Sequence, residues 1–216
     1  GPYAIPADNP FARHGSFAPE IWAVGFHYGP PLSFDRATGD FYSSDMGTHA
    51  VEVNFEAAGS RGGRNYGWPI RSAERTRFPD LVPVIPELTN PVVFFPGLTY
   101  FSLAGGFVYR GPHEPRLNGI YVLAEMCYNR FFGVRQTAGS WATAVLLEPR
   151  RFYLYAMGED DAGRLYFSDG YGREVYRLYD TRTVINPTAK PGPGTYSANF
   201  LVTVATATLG ARVHYT

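Results

Sequence analysis

Three segments of this 216-residue chain repeat one pattern: a glycine, an alternating stretch centred on a tyrosine, then an acid. They are residues 38–45 (TGDFYSSD), 118–125 (NGIYVLAE) and 162–169 (AGRLYFSD). Period-two alternation places side chains on opposite faces of a strand, and the glycine supplies the turn before it. Helical periodicity is nearly absent. With 24 Gly, 18 Pro, 16 Phe and 16 Tyr and only 18% charged residues, the chain predicts many short strands joined by tight turns. A sheet-sized unit repeated three times predicts roughly three propeller blades. Periodicity alone also allows an open β-sandwich. Strand partners are expected at 21–26, 105–109, 131–135, 144–147 and 174–179, with a loop rich in Gly, Pro and Arg over 59–96 covering one face.

Nineteen basic residues balance nineteen acidic ones, so nothing recommends a nucleic-acid or anionic-membrane partner. No apolar run approaches the length of a membrane span. The single Cys127 excludes an internal disulfide and a cysteine-rich metal site. The chain opens on Gly1-Pro2, as a cleavage scar would, and shows no signal peptide. Residues 186–194 (NPTAKPGPG) read as a Pro/Gly linker closing a unit at 3–185. Residues 195–216 read as two alternating strands around Leu209-Gly210. That pair resembles the start of the immunoglobulin-like module found at the carboxyl end of chitobiases. Two strands cannot bury a core of their own.

The segments YAIPADNPF (3–11), PEIWAVGF (19–26), FDRATGDFYSSDMG (34–47), GGRNYGWP (62–69), AGGFVYRGP (104–112), NGIYVLAEMCYNRFFGV (118–134) and GEDDAGRLYFSD (158–169) follow one another. In content and serial order they resemble the soluble glucose/sorbosone dehydrogenases, six-bladed propellers that use pyrroloquinoline quinone (PQQ) and calcium. The resemblance implies an all-β fold: a partial six-bladed-type propeller of about three blades, completed in one reading by a homodimer. It implies that the family's first three blades, with its catalytic histidine, correspond to nothing in this chain. A secreted or periplasmic setting and a small sugar- or lactone-like ligand follow from the same resemblance.

The resemblance places calcium at Asp45, Gly47 and Thr48, with Glu52 downstream, through main-chain carbonyls and carboxylate oxygens of the kind that suit this ion. It places His27-Tyr28 where the family carries Arg-Asn facing the quinone. An imidazole cannot supply a guanidinium's permanent charge and forked donors, but it is a general base by type. His49, close in sequence to the metal turn, is the second candidate base. The family's quinone-binding lysine would fall near Cys127, yet the only lysine is Lys190. Arg130, Arg150 and Arg151 are the candidate cations for an anionic cofactor. Trp68 of the Asn-Tyr-Gly-Trp-Pro segment is a pocket wall, with Arg71, Glu74 and Arg75 at its mouth.

Three functions fit these residues. The first is calcium-assisted hydrolysis of a small lactone, with His27 or His49 as base and Asp45 or Glu52 holding the metal. The second is PQQ-dependent aldose oxidation, which asks for cationic partners to a carboxylate-bearing quinone. The third is a non-catalytic binding propeller, as in relatives of the hedgehog-interacting proteins.

Overall fold

The computed structural model describes residues 3–29, 31–47, 49–81, 87–98, 103–148, 153–180, 188–192, 195 and 203–205. Three antiparallel sheets follow one another along the chain. Blade I contains β1 (Leu32–Phe34), β2 (Phe41–Met46), β3 (Ala50–Glu56) and, after a short β4–β5 hairpin (Arg71–Ser72, Arg75–Thr76), β6 (Val93–Pro96), in the spatial order β1-β2-β3-β6. Blade II is the meander β7 (Leu103–Val108), β8 (Tyr121–Glu125), β9 (Arg130–Thr137), β10 (Ser140–Leu147). Blade III contains β11 (Leu154–Glu159), β12 (Leu165–Asp169) and β13 (Glu174–Arg177). A separate ribbon pairs β14 (Thr188–Lys190) with β15 (Thr203–Ala205). Among the described residues the only helical turn is a 3-10 turn at Pro79–Leu81.

The first strands of the blades, β1, β7 and β11, are neighbours. That places the blades side by side about a common inner edge, the arrangement of a propeller rather than a two-sheet sandwich. Each Gly–Tyr–acid repeat is the second strand of its blade: β2, β8 and β12.

The alternation of β8 shows how the sheets stack. Tyr121 and Leu123 enter a core shared with blade I, beside Tyr42, Val51 and Val53. Val122 and Ala124 enter a second core shared with blade III, beside Leu154, Leu165 and Phe167. Both faces of blade II are therefore covered, and its second strand reads as a continuous apolar run.

Blade I is built differently. Val51 and Val53 face blade II. The alternate positions Glu52, Asn54 and Glu56, paired with Asp45, Ser43 and Phe41, give a polar second face that is nevertheless buried. The expected loop over 59–96 covers that face in part, with two differences. Residues 71–76 turn back as a hairpin, and Val93–Pro96 is a full strand on Ala50–Val53. The expected strand at 21–26 is reduced to one parallel bridge, Val24 to Asn65. Strand β14 falls inside the stretch read as a linker, between Pro187 and Pro191. The Leu209-Gly210 turn lies outside the described residues.

At the end of the blades where β1 turns into β2, an ionic belt joins all three sheets. Arg110 donates Nε to Asp35 Oδ1 at 2.9 Å and Nη2 to Asp35 Oδ2 at 2.5 Å, a bidentate pair between blades II and I. Its main-chain N–H donates to Gly163 O in blade III at 3.3 Å. Arg36 pairs with Glu159 at 3.3 Å. Asp35 is buried, and the Arg110 fork holds its carboxyl below the usual aspartate range despite that burial. Removing one partner of a buried pair strands the other. Arg110→Ala and Asp35→Asn should each lower stability by roughly 2–4 kcal/mol. Urea unfolding at pH 7 checks this; a loss below about 0.5 kcal/mol would make the pair a surface contact.

Candidate functional site

The opposite end of the blades carries the acids that close each repeat, and all three do the same work. Asp45 accepts main-chain N–H groups of His27 at 2.6 Å and Tyr28 at 3.1 Å. Glu125 accepts those of Cys127 at 2.6 Å and Tyr128 at 2.9 Å. Asp169 accepts those of Tyr153 and Tyr171, both at 3.0 Å. A charged acceptor holding two amide donors fixes a connection at little entropic cost. In blades II and III the connection held is local or lies within the blade. In blade I it is the distant segment around His27.

That segment is positioned from a second side. Residues 22–25 run parallel to 63–68: Gly63 N–H donates to Trp22 O at 2.8 Å, Tyr66 N–H to Val24 O and Trp68 N–H to Gly25 O, each at 2.9 Å. Gly25 sits at φ +84°, and a Cβ there would lie 2.3 Å from Asn65 Oδ1 and 2.6 Å from Gly67 N. Only glycine lets the two chains approach this closely. The pairing brings the His27 ring onto Trp68, with centroids 3.6 Å apart, and Tyr28 packs edge-on to His27 at 5.4 Å.

Nδ1 of His27 lies 2.6 Å from Met46 O. A carbonyl only accepts, so Nδ1 carries the proton in this contact, and the neutral ring presents Nε2 as an acceptor. The half-buried ring is thus oriented by backbone on one nitrogen and available for chemistry on the other.

Beneath it, Asp45 and Glu52 are cross-strand partners, both buried. Glu52 Oε1 accepts Ala73 N–H and, at 3.4 Å, the Ser72 hydroxyl. Burial, with a contribution from Asp45, pushes the Glu52 carboxyl from 4.5 up to about 7. Burial also raises Asp45, against the N–H bonds and His27 that lower it. Gly47 closes the β2–β3 turn through its N–H to Ala50 O at 2.8 Å. A Cβ at Gly47 would lie 2.2 Å from Ser72 Oγ, so the turn is packed tight under the 71–76 hairpin.

A calcium ion takes six to eight oxygens, and the two carboxylates gathered here would supply only part of such a set. Both Asp45 oxygens and one Glu52 oxygen already accept protein N–H groups. Among the described residues no three His, Cys, Asp or Glu side chains converge. A seat made of turn carbonyls would include Thr48, which lies outside the described residues.

The remaining sequence candidates separate. His49 is exposed and joins the fold here only through its carbonyl, which accepts Gly97 N–H at 3.3 Å. Arg130 pairs with Glu148 at 2.9 Å on blade II and lies over Tyr128. Arg150 and Arg151 lie outside the described residues. Of the three candidate cations for a quinone's carboxylates, the described one, Arg130, is paired with Glu148. Arg71 donates to Thr89 O at 2.9 Å, and Glu74 and Arg75 are exposed.

The sequence reading missed Arg77, whose guanidinium lies 4.5 Å over the Trp68 ring. The clue was the hairpin: a turn at 73–74 sends the chain back to Trp68.

The glucose/sorbosone dehydrogenase family profile matches residues 3–167. The HIPL1 protein of Arabidopsis thaliana is 29% identical over 92% of this chain and 34% of its own length. A crystal structure of glucose dehydrogenase superposes with a TM-score of 0.63 at 20% identity, covering 82% of this chain and 52% of that one. The PQQ-bound form of an aldose sugar dehydrogenase from Streptomyces coelicolor gives 0.53 at 17% identity, covering 73% and 42%. These likenesses show the partial propeller fold. The chain spans about a third of HIPL1 and about half of the glucose dehydrogenase.

The buried Glu52 gives a stability signature. Between pH 4.5 and about 7 the folded carboxyl keeps a proton that the unfolded one has lost, so stability falls as pH rises through that window. The loss should be on the order of 2–3 kcal/mol. Glu52→Gln should flatten the profile and be the more stable protein at pH 8. Urea midpoints from pH 4.5 to 8 check this, and a calcium ion seated on the pair would show as removal of the slope by added Ca²⁺.

Proposed function

Because this chain belongs to the glucose/sorbosone dehydrogenase family, we propose that it handles a small sugar-type ring at the His27–Trp68 end of blade I, with His27 as general base, and that the reaction is hydrolysis of a ring ester. The contact that carries this reading is His27 Nδ1 to Met46 O at 2.6 Å. A base must present an unprotonated nitrogen in a fixed direction, and a backbone acceptor on the other nitrogen does that.

In the step proposed, Nε2 takes a proton from water as the oxygen attacks the lactone carbonyl. The ring C–O bond then breaks, the proton passes to the departing alkoxide, and a hydroxy acid leaves. Water and lactone account for every atom, and no electron acceptor is needed. The half-buried Trp68 beside the ring limits how many waters reach the base. A secreted or periplasmic setting belongs to the same proposal.

A second reading, oxidation of an aldose by bound PQQ, is favoured by the fold shared with the PQQ-bound aldose sugar dehydrogenase. It uses His27 as the base for a sugar hydroxyl.

Turnover of D-glucono-1,5-lactone, followed by pH-stat, tests the first reading. His27→Ala and His27→Asn should each lower kcat by at least about 100-fold, with unfolding midpoints reported alongside. Full turnover in both variants would remove His27 from the chemistry. Calorimetric titration with PQQ in the presence of Ca²⁺, then dye reduction on adding glucose, tests the second. Stoichiometric PQQ binding with dye reduction would replace hydrolysis by oxidation.

A further inference from the structure

Of the fourteen arginines among the described residues, nine are committed. Seven of them pair with carboxylates, and Arg71 and Arg135 donate to backbone oxygens. Arg77 differs. Among the described residues its guanidinium makes no ion pair, and its contacts are with rings: Trp68 at 4.5 Å and Phe78 at 5.7 Å. A guanidinium lying over a ring uses its face, so the in-plane N–H donors that match a carboxylate stay available.

Its position is fixed by backbone. Arg77 N–H donates to Ile70 O at 2.7 Å and Phe78 N–H to the same oxygen at 3.2 Å. Ile70 is buried two residues beyond Trp68. The hairpin tip between Ile70 and Arg77 is clamped by Ala73 N–H to Glu52. The nearby acids Glu74 and Asp80 are exposed, and neither forms an ion pair with Arg77 among the described residues. Tyr28, His27, Trp68 and Arg77 thus make one chain of contacts, at 5.4, 3.6 and 4.5 Å, running from an exposed aromatic ring through a base to an uncommitted cation.

We infer that Arg77 is the anion-recognising group of this site and that the ligand is a ring bearing a free carboxylate, a uronic acid or the monolactone of a dicarboxylic sugar acid, rather than a neutral sugar. The inference rests on the placement of the ligand at His27 and deepens that reading by naming the substrate class. The Arg77 fork, one ring away from His27 across Trp68, pairs with the carboxylate of a ring seated at His27. The same chemistry would recognise a carboxylate of a quinone cofactor.

Isothermal titration of the full chain with D-glucuronate, D-glucose and PQQ separates the cases. Glucuronate should bind at least tenfold more tightly than glucose, and raising the salt concentration should reduce that preference. Arg77→Gln should abolish the preference, and Arg77→Lys should keep part of it, as a point charge without the fork. Equal affinity for the two sugars, or a preference that survives Arg77→Gln, overturns the inference. Binding of PQQ that weakens at least tenfold in Arg77→Gln, with no glucuronate binding, keeps Arg77 as the anion group but overturns the sugar acid as its ligand. Turnover of D-glucaro-1,4-lactone, a ring ester that keeps one free carboxylate, by the unaltered protein is scored separately. Its absence removes the hydrolase reading while a glucuronate preference leaves Arg77 standing.

Discussion

A buried carboxylate accepting two main-chain N–H groups, placed where the second strand of each blade ends, is the interaction on which the loop end of this molecule depends. Main-chain donors at a strand end lose their ladder partners and must find others. A carboxylate supplies two acceptor oxygens and, being charged, makes stronger bonds than a neutral side chain. In blade III the bonds hold Asp169 below the usual aspartate range. In blade I burial outweighs them and the Asp45 carboxyl rises. The same device is shifted down in one blade and up in the other, and the copy shifted up holds the candidate site.

That difference traces to the two faces of blade I. Blade II buries apolar side chains on both sides, so its clamp orders only its own connection. Blade I presents Asp45, Glu52, Asn54 and Glu56 on its second face, and these groups need partners that an apolar neighbour could not provide. The partners come from chain that folds over them. His27 and Tyr28 amides meet Asp45, Ala73 and Ser72 meet Glu52, and the Tyr66 hydroxyl meets Glu56 at 2.7 Å. The polar face is thus a template. It selects which loop segments settle there, and the settled segments carry His27, Trp68 and Arg77. Asn54 and Ser43, cross-strand partners in the same face, have buried polar side-chain atoms with no hydrogen-bond partner among the described residues.

The three repeats were legible because alternation and a leading glycine are local signals, and each fell on the second strand of its blade. The fourth strand of blade I was not. Val93–Pro96 follows a long Gly- and Pro-rich stretch, and its pairing with Ala50–Val53 is a long-range choice that no window around it reports. His27 and Trp68 were named from their place in an ordered series of motifs. Their stacking depends on a parallel bridge, Val24 to Asn65, which leaves almost no pattern in either segment. Asp45 and Glu52 were read as part of a calcium seat because the motif series resembles one in which turn carbonyls and a carboxylate hold the ion. The amide donors that meet them come from residues 27, 28 and 73, too far away in sequence for composition to show that these acids also anchor loops.

Replacing a guanidinium by an imidazole at position 27 removes a permanent cation from the place where the family resemblance expects one. The structure puts a guanidinium back at one remove, across Trp68. The two arrangements differ chemically. A cation facing a ligand directly polarises whatever atom it touches, whereas a base next to the ligand with a cation one ring away separates proton transfer from anion recognition. On the reading proposed above Trp68 makes that separation possible, because an indole packs against an imidazole and a guanidinium without neutralising either. A carboxylate would have paired with Arg77 and closed the site. An aliphatic side chain would have left both groups unordered. The identity of residue 68, more than that of either polar neighbour, therefore decides whether this end of the propeller can hold a base and a free cation together.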